Sequence, residues 1–115
     1  MVLGSFYFRL TTNGNLMGEF MNNLSQQMAT ESADVIGEQN DNFIGDYQST
    51  WFDGNAQTMR LSITQKAHTF NIFRLVWSDD TATHFVGEAF LSNEMLIGVY
   101  GDGDLDKRIN NLLTR

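Results

Sequence analysis

Apolar and polar residues alternate along most of this chain with a period of two, the pattern of strands that bury one face. Gly4 to Thr12 sets Phe6, Phe8 and Leu10 against Tyr7, Arg9 and Thr11. Asn13-Gly14 follows, a strong hairpin signal, because a tight primed turn needs positive φ at both central residues. The return strand, Asn15 to Asn22, carries Leu16, Gly18 and Phe20 on one face and Met17, Glu19 and Met21 on the other. Between Asn23 and Asn42 the pattern fades. Ser25 to Thr30 reads as a loop or a helical turn, and Ser32 to Glu38 as a short strand with Ala33, Val35 and Gly37 on one face.

Alternation returns in Phe43 to Trp51, where Phe43, Gly45, Tyr47, Ser49 and Trp51 share a face. Its Gly-acid-aromatic centre, Gly45-Asp46-Tyr47, is echoed by Gly18-Glu19-Phe20 and more loosely by Gly87-Glu88-Ala89-Phe90. After a turn at Asp53-Gly54, Thr58 to Lys66 places Met59, Leu61 and Ile63 opposite Arg60, Ser62 and Thr64. Phe70 to Trp77 is apolar on both faces, so it is central in a sheet or covered outside. His84 to Leu91 and Glu94 to Tyr100 close the series as a hairpin around Ser92-Asn93. The end changes period: Leu105, Ile109, Leu112 and Leu113 recur at helical spacing after Asp104, a good N-cap, which predicts a short C-terminal amphipathic α-helix.

About eight strands joined by short connections, with no helix between them, predict an all-β fold. An antiparallel up-and-down eight-stranded barrel is preferred to a sandwich because a closed sheet leaves no edge strand to protect. The helix would pack outside it or plug one end. Eight strands enclose room for side chains or for one small ligand.

Composition narrows the field further. The 115 residues make one domain, 1–115, with 42% hydrophobic and 12% aromatic residues, a globular balance. There is no cysteine, which excludes disulfides, thiolate metal sites and cysteine nucleophiles. With no proline either, turns fall to Gly, Asn, Asp and Ser. A net charge of −7 argues against nucleic acid and anionic membranes as partners. Neither a leader pattern nor a run of ~18 apolar residues is visible, so the expected location is the cytoplasm.

Leu3-Gly4-Ser5-Phe6 followed by Asn13-Gly14-Asn15-Leu16-Met17-Gly18-Glu19-Phe20 resembles the opening hairpin of avidin-like proteins. Phe73-Arg74-Leu75-Val76-Trp77, a turn, then Phe85-Val86-Gly87 resembles a later avidin-like or lipocalin-like hairpin. These segments cover about a third of the chain. The resemblance is to bacterial calycin-like barrels, and it implies eight strands around a small ligand at an open end. Phe20 stands where the avidin pattern carries a ligand-bonding tyrosine, and Asn22 where a serine is expected. Only Trp51 and Trp77 could replace the tryptophans that wall a biotin site, so biotin is not the expected ligand.

Candidate chemistry is sparse. Glu19 and Asp46 could pair as acid and base, but alternation turns both away from Phe20 and Tyr47, into solvent. Glu88 shares a face with Phe90 and is the acid of this set expected to approach a cavity. His84 and Glu88 lie four residues apart, ~13 Å along a strand, too far to act together. Two histidines without cysteine make no metal set. Asp102-Gly103-Asp104-Leu105-Asp106 lacks the glycine and glutamate of a calcium loop at the sixth and twelfth places, which hold Lys107 and Leu113. Nucleophile elbows and phosphate-binding glycine loops are missing too. No catalytic residue, metal or cofactor is assigned.

The aromatic residues are the richer signal, with core packing their first explanation. The leading expectation is a non-catalytic barrel that binds a small hydrophobic or aromatic molecule, with Tyr47, Ser49, Trp51, Arg74 and Trp77 near its mouth. The alternative is a structural or interaction protein that self-associates, as a homodimer, through the apolar outer face of strand 70–77.

Overall fold

The computed structural model describes residues 1–38 and 42–102. Eight antiparallel strands follow one another: β1 (Leu3–Leu10), β2 (Leu16–Asn22), β3 (Ala29–Val35), β4 (Gly45–Asp53), β5 (Asn55–Gln65), β6 (Ile72–Ser78), β7 (Thr83–Ser92) and β8 (Met95–Asp102). Each pairs with its sequence neighbour, and β1 pairs with β8 from Leu3↔Gly101 to Arg9↔Met95, so the sheet closes as an up-and-down barrel. This is the expected all-β architecture, and it is compatible with a calycin-like fold. The expected C-terminal helix lies outside the described residues. No helix among the described residues is long and apolar enough to cross a membrane.

Alternation decides which side chains fill the interior. Phe8, Leu16, Tyr47, Leu61, Ile63, Leu75 and Leu96 are fully buried on the inner face. Each such burial stabilises the fold by ~1.5–3 kcal/mol relative to exposure. These side chains occupy one end of the barrel, which is plugged. Tyr47 contributes there as packing, its hydroxyl donating to the Phe43 carbonyl at 2.8 Å. Gly18 lets β1 and β2 close over this core. A Cβ there would overlap the Tyr7 carbonyl oxygen and press on the Phe8 ring at 2.9 Å.

Two turns depart from expectation. The β1–β2 connection is not a two-residue primed turn. Gly14 alone takes positive φ (81°), while the Gly14 amide donates to the Thr11 carbonyl at 3.0 Å and the Thr11 amide to Asn15 at 2.8 Å. This is a three-residue loop ending in a left-handed glycine. The primed turn occurs instead between β7 and β8, where Asn93 (φ 51°) and Glu94 (φ 65°) both lie in the left-handed region, between paired Ser92 and Met95. The third strand begins at Ala29 rather than Ser32 and ends at Val35. That shift brings an unexpected residue, Glu31, inside.

The outer face is mixed. Glu19 accepts from the Tyr7 hydroxyl, Asp46 pairs with Arg60 at 2.9 Å, and His84 with Asp79 at 2.7 Å. Glu88 also faces outward, bonded to Lys66 at 2.6 Å, rather than towards a cavity. Exposed pairs of this kind contribute little to stability.

Candidate functional site

The end of the barrel opposite Tyr47 is hollow. It receives the starts of β1, β3, β5 and β7 and the ends of β2, β4, β6 and β8. The cavity there has a volume of about 160 Å³. Phe6, Phe20, Trp51, Trp77, Phe85 and Tyr100 wall it, and Asn22 and Ser25 add polar groups beside Leu24. All six rings take inward positions near the ends of their strands: Phe20, Trp51 and Tyr100 stand two residues before the last of β2, β4 and β8, Phe85 two after the first of β7, Trp77 next to the last of β6, and Phe6 three into β1. Large rings fit there because the barrel is not yet filled by its packed half.

The rings contact one another in an ordered way. Trp51 meets Phe20 at 6.4 Å and 84°, Phe20 meets Tyr100 at 6.2 Å and 83°, Tyr100 meets Phe85 at 5.9 Å and 81°, and Phe85 returns to Trp51 at 6.4 Å and 71°. Four aromatic side chains thus form a closed circuit of edge-to-face contacts, the arrangement their quadrupoles favour. Trp77 lies below, against Tyr100 at 5.9 Å and Phe6 at 5.6 Å. The Tyr100 hydroxyl accepts from Asn22 Nδ2 at 3.0 Å, tying the circuit to the rim.

One acid stands on this wall. Glu31, from β3, is 5% exposed. Its Oε2 accepts from the Trp77 indole Nε1 at 2.8 Å and from the Ser49 hydroxyl. Both donors fall on the same oxygen. No buried side-chain polar atom among the described residues lacks a partner, so Oε1, which has none there, reaches the cavity space. Burial pushes the carboxyl above its ordinary value, and the Ser49 and Trp77 hydrogen bonds oppose that rise by favouring the charged form. No lysine, arginine or histidine is among the described residues lining the cavity. The acid therefore has hydrogen bonds but no counter-charge there.

The five residues singled out from the sequence are distributed as follows. Trp51 and Trp77 line the cavity, and Ser49, fully buried, supports its floor through Glu31. Tyr47 lies in the plugged half. Arg74 belongs to the outer face of β6, in register with Thr64 and Glu88. Glu31, Phe20, Phe85 and Tyr100 complete the site and were not singled out as ligand contacts.

A second depression, about 450 Å³, is bordered by Gln48, Arg60, Asp79 and Asp80 on the outside, more open to solvent and without a buried polar group. Among the described residues no three His, Cys, Asp or Glu side chains gather as a metal would require. Comparison with protein-family models, curated proteins and solved structures gives no significant match.

Proposed function

We propose that this chain is a calycin-like barrel that binds a small molecule in its hollow end without transforming it. The observation that carries the reading is the coexistence of a plugged half and a hollow half in one barrel. Packed interiors leave few voids larger than a water molecule. A space of about 160 Å³ beside a buried carboxyl is therefore a costly feature for a fold that needed only stability. Mostly apolar walls with a few convergent polar groups are the usual make-up of a ligand pocket. The aromatic lining favours a ligand with a compact apolar or aromatic body.

Thermal unfolding across a metabolite library tests the reading. A ligand present at a hundred times its Kd stabilises the folded state by ~2.7 kcal/mol, a readily measured rise in Tm. The reading predicts such a rise with at least one compact compound and a smaller rise in Trp51→Leu. No rise with any compound would overturn it.

One observation favours a second reading, self-association through the outer face of segment 70–77. Ile72, Phe90 and Ile97 are cross-strand neighbours on that face, and Phe70, two residues before Ile72 in the chain, is 95% exposed. Sedimentation equilibrium distinguishes the two. A dimer that Phe90→Glu dissociates supports association, and a monomer at high concentration counts against it.

A further inference from the structure

Resting on the small-molecule reading, we infer that the ligand is a compact organic ammonium ion, its charge held between Glu31 Oε1 and the aromatic circuit. The argument begins with Glu31. An acid 5% exposed, with no cationic residue among its described cavity neighbours, is an unusual thing to keep inside a barrel. Such groups are kept when a partner of opposite charge arrives, because an unpaired buried charge is expensive. The two protein donors already occupy Oε2, and the indole N–H of Trp77 can only donate. They hold the carboxylate in place and leave Oε1 for the ligand.

The circuit supplies the second half. Aromatic faces attract cations within ~6 Å of the ring centroid, and cages of such rings recognise ammonium groups. In a closed circuit whose sides are 5.9–6.4 Å, a group at the middle lies within that reach of all four rings. A neutral apolar ligand would need the walls but would leave Oε1 unsatisfied. An anion would be repelled by Glu31. The net charge of −7 also raises the local concentration of cations over that of anions.

Volume limits the size. A cavity of ~150 Å³ lined by apolar side chains accommodates benzene, and this one is about 160 Å³. A single ring with an aminomethyl group, or a trimethylammonium head with a short tail, fits that scale with its tail towards Asn22 and Ser25. Fused polycyclic amines do not.

The test uses charged probes and uncharged partners of matched shape: choline against 3,3-dimethyl-1-butanol, and benzylamine against benzyl alcohol. Titration calorimetry in phosphate buffer at pH 7.5, with tryptophan fluorescence as a second readout, gives each Kd. The ammonium member of at least one pair should bind at least tenfold more tightly than its partner. Glu31→Gln, whose amide oxygen can still accept from Ser49 and Trp77, should erase that preference, bringing the two members of the pair to similar Kd values. Trp51→Leu, which leaves the carboxyl untouched, should weaken the ammonium probe several-fold. Neutral partners that bind as tightly as the ammonium ions would overturn the inference and leave the small-molecule reading standing, with Glu31 acting as a neutral donor. Absence of binding by all four probes would also overturn it. Silence across the wider library as well would remove the reading beneath it.

Discussion

Replacing Glu31 with glutamine should change how stability depends on pH, and the size of the effect follows from the position of the carboxyl. Unfolded, this acid ionises near 4.5, its ordinary value. Folded, it ionises above that value because burial disfavours its charge. Between the two values the folded chain holds one proton more than the unfolded chain. Stability therefore falls as pH rises through that window, with a limiting slope of ~1.4 kcal/mol per pH unit for one proton. Above the folded-state value the loss levels off. Glutamine does not titrate and keeps an oxygen for the Ser49 and Trp77 donors, so Glu31→Gln should escape the loss. Urea unfolding of both proteins from pH 4.5 to 8, without ligand or amine buffer, measures the difference. Other ionisable groups are present in both and cancel to first order. Near pH 4.5 the two curves should lie close together. With rising pH the variant should gain on the wild type until a plateau. A pH-independent difference, or one of opposite slope, would refute the picture of a buried acid without a counter-charge.

Other expectations are local. Tyr47→Phe removes a buried hydroxyl and its bond to the Phe43 carbonyl, which should cost about 1–2 kcal/mol in urea unfolding and leave ligand affinity unchanged. If Tyr47 contacts the ligand, affinity will fall instead. Glu94 holds a left-handed conformation (φ 65°) in the β7–β8 turn, so Glu94→Gly should stabilise the protein by about 0.5–1 kcal/mol, seen as a raised Tm. A lowered Tm would mean that the side chain has a role the turn geometry does not require.

The barrel was legible because alternation is a local signal: the inner face of β5, with Leu61 and Ile63, can be read without knowing its neighbours. The site was only half legible. Trp51 and Trp77 stand out as large rings near strand ends, whereas Tyr47 stands out equally and belongs to the opposite end. Four residues separate Tyr47 from Trp51, ~13 Å along a strand, and nothing in the alternation says which end is plugged. Glu31 was missed for a different reason. It continues the inward series Ala33, Val35 by one step, but an acid at the start of a weak strand reads as surface. What admits it to the interior are donors 18 and 46 residues away, Ser49 and Trp77. That information is tertiary. Arg74 looked like a mouth residue until the register with Thr64 and Glu88 assigned it to the outer wall.

The central claim, a ligand in the hollow end beside Glu31, is tested most directly by the two indole N–H signals of the protein in ¹H–¹⁵N NMR. The chain has two tryptophans, and both line the cavity. Titration with an ammonium probe should shift both indole signals together, Trp77 most because its N–H bonds the same carboxyl that receives the ligand. Backbone signals around Tyr47, in the plugged half, should stay in place. Indole signals that do not move while those of Ile72, Phe90 and Ile97 do would contradict the account and move the binding surface to the outside of the barrel.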